Sequence, residues 1–519
     1  ALLRAGMTPV IGDAEVTGPE LGELLEVCEP AALYADEAML ANAALGGKLP
    51  QSKIIPIREV HDVLSNGRDP GDWPAIEARP DVALLVLTSG TTSTPKAVEL
   101  THENLIAQLA IFKDIYGFDS ATRLLNLLPL HHVDGLIRGP LVALWFGGYL
   151  YRQTPFSVQN VPTILKKFGE RNITHFITVP AMLRIVARLG SDARETFTGP
   201  DFRFILCSAD LLDAALWRHV EETFNTPVVN AYGLSEVVCD ALFAGPDDAT
   251  RRIGSLGRPH GCTADILDDD GKPVPAGETG ELVLSGPTVM RGYFNAPELT
   301  AGVIRNGAFH TGDYARVGED GLYDFVGRKK TAIVSAGATI HPESVTIVLT
   351  PMPGVAEAVA FGIPDTARGE KLVAAIAPQP GHEITAADAF AFCRKHLSAE
   401  RTPAEFRIIS SLPRGASGKV LMAELTAGTA AAPTGLAEEQ VEFDSESGSL
   451  EDKVCAVAAS LSADSTPFNT DGWDSLAHMT LIEELELAFD MQFSAAEIAS
   501  IAALGDAMEF IEGALDTKA

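Results

Sequence analysis

The sequence predicts an α/β multidomain protein with a layered α/β core, a smaller α+β unit and an acidic helical unit at its end. Three observations support this prediction. The 519 residues are too many for one compact domain. Short β-rich runs, such as DVALLVL, FRFILC and TPVVNAY, alternate with helical patterns at 161–170 and 181–189. From about Gly280 the strands come closer together and are separated by glycine turns, as in GELVLSG and GLYDFVGR.

Composition and pattern divide the chain into four segments. Residues 1–327 form the predicted large subdomain, and residues 328–425 form the predicted small subdomain. Residues 426–449 are rich in Ala, Gly, Ser, Thr and acidic residues and lack an apolar period, which is typical of a flexible linker. Residues 450–519 contain 14 acidic residues and two lysines, so we expect a separate acidic domain there.

The overall charge excludes some classes of partner. A formal charge of -31 disfavours binding to nucleic acid or to an anionic membrane. The six cysteines are scattered without a metal-ligand spacing, which is typical of a reducing compartment. No apolar run reaches the ~18 residues that a membrane span needs, and the first residues lack the basic start of a signal peptide. We therefore expect a cytoplasmic protein.

The run TSGTTSTPK follows a buried strand and precedes a helix that opens near Thr101. Small residues allow the backbone to approach an anion, hydroxyl and N–H groups donate to phosphate oxygens, and a lysine adds positive charge. An ordinary solvated turn is the alternative interpretation. The candidate phosphate-binding residues are Thr88, Ser89, Gly90, Thr91, Thr92 and Lys96.

Five more motifs follow this loop, and their order resembles that of the adenylate-forming superfamily, which includes acyl-CoA synthetases and the adenylation domains of peptide synthetases. The motifs are LPLHHVDG at 128–135, NAYGLSE at 230–236, FHTGDYARV at 309–317, GRKKTAIVSAGATIHP at 327–342 and PRGASGKVL at 413–421. The resemblance covers nearly all of residues 1–425 and implies an adenylation core followed by a mobile small subdomain.

The resemblance implies roles in nucleotide binding for several side chains. Glu236 corresponds to the Mg²⁺ ligand, and Ser235 to a hydroxyl that contacts phosphate. Tyr232 lies beside them in the same motif. Asp313 is expected to accept both ribose hydroxyls, and Arg328 to contact the ribose or a phosphate. ATP, AMP and Mg²⁺ are the implied cofactors.

Two lysines are implied in catalysis and in domain motion. Lys419 corresponds to the residue that bridges the substrate carboxylate and the α-phosphate, and Lys330 to the hinge of the small subdomain. Both would be ordinary surface lysines outside this context. Ser93, Ala97 and the turn CSAD at 207–210 occupy positions where relatives often have Gly, and we expect these small residues to be tolerated. The loop also begins early in the chain, so we expect that the N-terminal part of the large subdomain is missing or unusually short.

The run DGWDSLAHMTLIEELELAFDMQF at 471–493 resembles the centre of an acyl or peptidyl carrier domain with four helices. The resemblance implies that Ser475 carries 4'-phosphopantetheine. A phosphopantetheinyl transferase and a downstream carrier-dependent biosynthetic enzyme would then be partners. The alternative is a simple N-cap, since an Asp-Ser pair often precedes an amphipathic helix.

The segment around LPLHHVDG carries the substrate prediction. The resemblance assigns His132 to catalysis and to the acyl pocket, with Val133 where amino-acid-activating relatives have an Asp. Because an apolar side chain cannot compensate a buried ammonium, we disfavour a free α-amino acid. Asp134 and Arg138 form either a structural ion pair or a polar end of the pocket for a hydroxyl, an amine or a second carboxylate. Trp145 and Phe146 are predicted as core residues.

These observations predict an acid–thiol ligase. ATP would activate a small carboxylic acid, polar or dicarboxylic, as an acyl-adenylate, and the acyl group would pass to the phosphopantetheine thiol of the chain's own carrier domain. One alternative is an acyl-CoA ligase that uses free CoA. The other alternative is a non-catalytic carrier scaffold.

Overall fold

The computed structural model contains a large α/β subdomain, a small α+β subdomain and a C-terminal segment that packs against the large subdomain. It describes residues 7–13, 18–35, 54–56, 81–88, 95–154, 156–190, 194–335, 338–365, 369–379, 381–398, 401–413, 420–427, 478, 481–482, 485–486, 489, 491, 493–501 and 503–518. The strands are β1 Leu33–Ala35, β2 Ile54–Pro56, β3 Val82–Thr88, β4 Lys96–Thr101, β5 Arg123–Asn126, β6 Tyr149–Tyr151, β7 His175–Thr178, β8 Phe204–Cys207, β9 Val228–Tyr232, β10 Leu242–Ala244, β11 Arg258–Pro259, β12 Thr263–Leu267, β13 Gly280–Ser285, β14 Gly292–Tyr293, β15 Ile304–Arg305, β16 Ala308–Val317, β17 Tyr323–Arg328, β18 Ile333–Ser335, β19 Ala338–Ile340, β20 Val355–Asp365, β21 Gly369–Pro378 and β22 Glu405–Ile408. The α-helices are α1 Gly18–Cys28, α2 His102–Tyr116, α3 Val133–Leu136, α4 Val142–Phe146, α5 Val161–Glu170, α6 Pro180–Leu189, α7 Ala214–Phe224, α8 Pro297–Val303, α9 Pro342–Leu349, α10 Ala386–His396, α11 Met422–Ala427, α12 Ala495–Ser500 and α13 Leu504–Lys518.

A seven-stranded sheet organises the large subdomain, with strand order β11-β10-β9-β8-β7-β5-β6. Strands β6, β5, β7, β8 and β9 are parallel, and β10 and β11 are antiparallel. Adjacent residues of one strand belong to different hydrophobic cores, because successive side chains point to opposite faces of the sheet. Ile177 and Leu206 belong to the core on one face, whereas Phe176 and Ile205 belong to the core on the other. The runs of apolar residues in the sequence therefore reflect a sheet that is buried on both faces.

Two smaller sheets pack on the first of these cores. Strands β14, β4 and β3 form one, and β12, β13, β16 and β15 form the other, with β17 paired to β16. Helix α2 begins where the sequence predicts a helix, because Thr101 accepts a hydrogen bond from the Asn104 N–H and Asn104 accepts one in return. The sequence did not indicate β4, which lies between the phosphate loop and this helix.

The small subdomain has its own hydrophobic core. Strands β19, β18, β21 and β20 form a sheet, and β22 adds to it in parallel to β21. Helices α9 and α10 contribute Val345, Leu349 and Cys393 to a core that begins at Ile333. The residues between Arg328 and Ile333 form one short helical turn, Lys329–Thr331, which includes the predicted hinge residue Lys330.

Part of the acidic C-terminal domain is described. Helices α12 and α13 and scattered positions from residue 478 onward pack on the same core as α5 and α6. These described positions do not show the predicted four-helix carrier fold. Ser475 and residues 428–449 of the predicted linker lie outside the described residues, whereas residues 426 and 427 are the last two of α11.

One core prediction is wrong. Trp145 is 54% exposed, while Phe146 packs against the core as predicted. Helix α4 has only five residues, and its inward stripe is formed by Val142 and Phe146, which are four residues apart. Trp145, three residues after Val142, lies at the flank of this stripe near the end of the helix, where its side chain is exposed. As for membrane insertion, none of the helices in the described ranges is both long enough and apolar enough to span a bilayer.

A glycine fixes the junction between β10, β11 and β17. Gly257 has φ +78°, and a Cβ there would lie 1.8 Å from the carbonyl oxygen of Phe243. Its own carbonyl accepts a hydrogen bond from the Tyr323 N–H at 2.9 Å. The seven-stranded sheet and the β16–β17 sheet therefore approach each other at a point that has no room for a side chain.

We expect Gly257→Ala to destabilise the large subdomain. The left-handed backbone costs ~1–2 kcal/mol with a Cβ, and overpacking adds ~1–3 kcal/mol. Gly271 has φ +77°, and a Cβ added there would meet no atom of the described residues within 4 Å, so Gly271→Ala is the matched control for the backbone cost alone. Urea unfolding followed by tryptophan fluorescence measures both. Equal losses in the two variants would contradict the steric explanation.

Candidate active site

The predicted ribose-binding residues converge at the end of β9. The Tyr232 hydroxyl donates to Oδ2 of Asp313 at 2.6 Å, and Nε of Arg328 lies 3.4 Å from Oδ1 of the same carboxylate. Asp313 and Arg328 are register partners of β16 and β17. Gly312, with φ +72°, makes the turn of the TGD motif, and the Asp313 N–H donates to the Thr311 hydroxyl. Asp313 is therefore held by two strands and a tyrosine.

Burial controls the charge of this carboxylate. Asp313 is 4% exposed, and burial raises its pKa above the usual value although Arg328 and the Tyr232 hydroxyl oppose the shift. Burial also raises the pKa of Tyr232, with Asp313 adding to the effect, so the phenol remains a hydrogen-bond donor. An acceptor held in this way suits a pair of ribose hydroxyls.

The carboxylate of Glu236 and the cations Lys96, Arg328 and Lys330 lie around the end of β9. Glu236 follows β9 in the short turn Ser235–Val237, and its Oε1 accepts a hydrogen bond from the Tyr293 hydroxyl at 2.8 Å. Nζ of Lys96 lies 5.1 Å from the centre of the Tyr293 ring. Tyr293 thus connects the start of β4 to the predicted metal ligand.

The predicted hinge lysine belongs to this charge cluster. Partial burial and then Arg328 lower the pKa of Lys330, Asp313 and Glu236 raise it, and Lys96 lowers it further. Lys330 is therefore electrostatically coupled to the predicted ribose and metal residues. Clustered cations next to two carboxylates suit a polyphosphate with its divalent ion, since carboxylate oxygens are the ligands that Mg²⁺ prefers.

The strands place part of the phosphate loop. Thr88 ends β3 and is the register partner of Lys96, which begins β4, so the two residues mark the base of a hairpin. The tip residues Ser89, Gly90, Thr91 and Thr92 lie outside the described residues, as does Lys419. Ala97, where relatives often have Gly, is a fully packed strand residue.

The turn after β8 keeps a glycine-like conformation without a glycine. Ala209 of the CSAD turn has φ +70°, a region that costs a residue with a Cβ ~1–2 kcal/mol. The preceding Ser208 is buried and contacts Arg138. The substitution for glycine is therefore tolerated in the fold at the cost of local strain.

Asp134 and Arg138 form a buried ion pair, which is the first of the two alternatives that the sequence left open. Nη2 of Arg138 lies 2.5 Å from Oδ1 of Asp134 and 2.6 Å from Oδ1 of Asp240. Its Nη1 donates to the Ser208 hydroxyl at 2.5 Å, and its Nε donates to Sγ of Cys239 at 3.2 Å. Arg138 is 1% exposed. Every nitrogen of the guanidinium thus already has a partner in the protein.

The two carboxylates of this triad differ in pKa. Burial would raise the pKa of Asp134, but Arg138 and His132 outweigh it and hold the pKa below its usual value. Burial raises the pKa of Asp240 to about 6 against the opposing effect of Arg138. The Tyr116 hydroxyl donates to Oδ2 of Asp240 at 3.0 Å. Asp134, Cys239 and Asp240 are close enough to hold a metal ion, but the guanidinium already supplies the positive charge there.

His132 and Val133 have different surroundings. His132 is the N-cap of α3, its side chain is half exposed, and its Nδ1 lies 2.8 Å from Oδ2 of Asp134. Val133 is buried in the first core. Of the residues predicted to form the acyl pocket, His132 is therefore the one that reaches solvent, while Val133, Asp134 and Arg138 form the support beneath it.

Sequence reasoning missed two important residues. Tyr293 lies in RGYFNAPELT, in a two-residue strand that pairs with β4, and no local pattern of the sequence indicated this pairing. Asp240 lies four residues after Glu236, but nothing in the local pattern shows that it meets Arg138, 102 residues earlier in the chain. Its contact depends on the tertiary fold.

The structure thus brings the predicted ribose acceptor Asp313 and the predicted metal ligand Glu236 to the end of the parallel sheet, where the charge of Lys330 also acts. The model of the AMP-binding enzyme family matches residues 1–294, and that of the AMP-binding enzyme C-terminal domain matches residues 347–419. The chain belongs to the AMP-binding enzyme family. Membership makes it an acid–thiol ligase of the adenylate-forming type.

The relatives act on several acids. The chain is 35% identical over 371 residues to the sulfoacetate–CoA ligase of Cupriavidus necator. The match covers 69% of this chain and 72% of that ligase. It is 36% identical over 346 residues to an oxalate–CoA ligase of Arabidopsis thaliana, covering 66% of each chain.

Solved structures agree in fold. ATP-bound MatB from Rhodopseudomonas palustris superposes with a TM-score of 0.74 at 24% identity, over 82% of this chain and 84% of MatB. MenE from Bacillus subtilis, in complex with ATP and a magnesium ion, gives a TM-score of 0.69 at 26% identity, over 81% and 84% of the two chains. The layered architecture of the chain is therefore that of known adenylate-forming enzymes.

We expect Asp313→Asn to separate stability from nucleotide binding. Since folding raises the pKa of Asp313, the native state favours the protonated acid, and the ionised carboxylate lowers stability at neutral pH. The amide should therefore give a more stable protein at pH 7, with the difference closing as the pH falls below the ordinary pKa of an aspartate. AMP affinity should fall by about tenfold or more, because a charged acceptor is lost. Thermal unfolding across pH and AMP titration measure the two effects, and lower stability at pH 7 would contradict the assignment of the burial cost.

We expect Tyr293→Phe to weaken the use of Mg²⁺ and ATP. The ring still contacts Lys96, but Glu236 loses a charge-assisted hydrogen bond of ~1.5–3 kcal/mol, so the KM for MgATP should rise about tenfold or more. Tyr323→Phe is the matched control, since its hydroxyl donates to the Ala264 carbonyl at 2.6 Å, away from Glu236. Pyrophosphate exchange at varied MgATP measures both. Equal KM values in the two variants would remove Tyr293 from the site.

Proposed function

We propose that this chain uses ATP to activate a short polar carboxylic acid as its acyl-adenylate and then transfers the acyl group to the thiol of CoA. The observation that carries the proposal is the convergence of Asp313, Arg328, Glu236, Lys96 and Lys330 at the end of β9, beside the junction with the small subdomain. In this proposal Asp313 accepts the ribose hydroxyls, and the neighbouring charges bind the phosphates.

The residues divide the work of adenylation. Asp313 holds the ribose, which fixes the position of the α-phosphate relative to the acid. Lys96 and the loop from Thr88 bind phosphate oxygens, and Ser235 donates to them. Glu236 holds Mg²⁺, which when bound neutralises charge on the phosphates as pyrophosphate leaves. Lys419, outside the described residues, bridges the two reacting anions, and rotation about Lys330 exchanges this lysine for the thiol.

The acid is proposed to be short and polar. Val133 is buried, and Asp134 is already paired with Arg138 and His132, so no carboxylate of this motif is available to an ammonium group. Arg138 equally cannot bind a second carboxylate of the substrate without losing buried partners. The half-exposed His132 is the polar group that remains for a dicarboxylic, hydroxy or sulfonated acid. The sulfoacetate and oxalate ligases among the relatives support this substrate class.

CoA is the favoured acceptor because the similar curated proteins are CoA ligases. Transfer to a phosphopantetheine on Ser475 is the second candidate. The resemblance of the run around Ser475 to a carrier domain supports it. A phosphopantetheinyl transferase and a downstream biosynthetic enzyme would then be required partners.

Acid-dependent pyrophosphate exchange over oxalate, malonate, sulfoacetate, glycine and palmitate tests the activation step. We expect exchange with the short polar acids and little with glycine or palmitate. Lys419→Ala should lower exchange by ~10² or more, the scale for loss of a group that stabilises developing charge. Lys395→Ala, an exposed lysine of α10, is the control and should retain it. A clear preference for palmitate or glycine would contradict the substrate class, and absence of exchange with every acid would favour a non-catalytic scaffold.

The acceptor is tested with the acid selected in this way. Thioester formation is compared between the unmodified protein with CoA and the protein modified by a phosphopantetheinyl transferase without CoA, with Ser475→Ala as control. We expect a CoA thioester from the unmodified protein. Product only on the modified protein, lost in Ser475→Ala, would make carrier loading the main reaction.

A further inference from the structure

The outer side of α5 and α6 is covered by the C-terminal segment. Helix α12 contacts α5, α6 and the short turn Val158–Asn160 that precedes α5. The buried apolar residues of the segment belong to the same core as Ile164, Leu165 and Leu183 of these helices. The residues contributed by the segment are Leu481, Ile482, Leu485, Phe493, Ile498, Ile501, Leu504, Ala507 and Ile511.

Polar contacts also join the segment to the large subdomain. Nη2 of Arg188 lies 2.7 Å from Oε2 of Glu486, whose side chain is only 5% exposed. The other oxygen of Glu486 accepts a hydrogen bond from the Phe493 N–H at 2.9 Å. Nε2 of Gln159 donates to the Ile501 carbonyl at 3.2 Å. Because a buried carboxylate needs a cation, removal of Arg188 leaves Glu486 with an uncompensated charge in the docked state.

This interface and the nucleotide site lie on opposite faces of the seven-stranded sheet. Tyr293 of β14 and Phe309 and Ala315 of β16 belong to the first core, on the face of Ile177. The C-terminal segment belongs to the second core, on the face of Phe176, beyond the helical layer. The docked segment is therefore separated from the elements that carry Glu236 and Asp313.

We propose that the outer face of α5 and α6 is a docking surface for the chain's own C-terminal segment, and that the segment must leave it before the segment can receive an acyl group. The second clause rests on the proposed transfer to Ser475, whereas the docking does not. A charge pair at the interface favours this occupant, because Glu486 of the segment meets Arg188 of the large subdomain.

Hydrogen exchange by mass spectrometry on the full chain tests the docking. Arg188→Glu places a second carboxylate beside Glu486, so amides of residues 481–511 should exchange about tenfold or more faster. Arg184→Glu is the matched control on the same helix, since Arg184 pairs with Asp213 inside the large subdomain at 3.0 Å. Adding Glu486→Gln to Arg188→Glu should restore part of the protection. Unchanged exchange in Arg188→Glu would overturn the proposal, and protection that falls on dilution would identify the segment of a second copy instead.

Acyl transfer tests the requirement for release. With the phosphopantetheine attached, Arg188→Glu should load Ser475 severalfold faster than the unsubstituted chain and Arg184→Glu, while pyrophosphate exchange stays equal in all three. Equal loading despite faster hydrogen exchange would overturn the release clause. No loading in any variant, with exchange of pyrophosphate intact, would overturn both this clause and carrier transfer, and the amide exchange would still decide the docking.

Discussion

The pairing of Arg138 with Asp134 and Asp240 is the interaction on which the site depends. It joins the acyl motif, the end of β8 through Ser208, and the loop after β9 that also carries Glu236. Two buried carboxylates without the guanidinium would cost ~3–5 kcal/mol. Burial and the charge of Asp134 raise the pKa of Asp240 to about 6, while Arg138 and the Tyr116 hydroxyl, which donates to this carboxylate, stabilise its ionised form. The triad thus fixes the loops of the site relative to one another.

The nucleotide site is built at a cost to stability. Asp313 is buried beside Arg328, whose side chain is half exposed. Burial raises the pKa of Asp313, so the native state holds an ionised carboxylate that burial disfavours. Ala209 holds a left-handed backbone in the turn after β8. Both residues lie close to the ends of strands whose interiors are fully buried. A rigid parallel sheet can support such local strain at the carboxyl ends of its strands, which is where ligands bind in open α/β sheets.

Local patterns predicted much of this structure. The apolar runs indicated β3, β8 and β9, and the helix start near Thr101 agrees with α2. The resemblance to the adenylate-forming superfamily implied nucleotide-binding roles for Tyr232, Asp313 and Arg328, which the structure brings together. Long-range contacts were beyond such patterns. Asp240 and Tyr293 acquire their partners only through strand pairing and packing, and the exposure of Trp145 depends on the end of a short helix. The sequence could offer two roles for Arg138, but only the fold shows that its nitrogens are already occupied.

Under the proposed transfer to Ser475, docking of the C-terminal segment would affect which thiol is acylated. A flexible chain of about 24 residues has an r.m.s. span of ~27 Å, so the linker that the sequence predicts would give a tethered thiol an effective concentration on the order of mM. Only the released fraction of the segment contributes to this concentration, because the docked fraction of the molecules cannot react. Free CoA has no such equilibrium to overcome. Under this proposal the stability of the interface around Arg188 and Glu486 would set the balance between the two acceptors, and a chain whose segment stays docked would act as a CoA ligase.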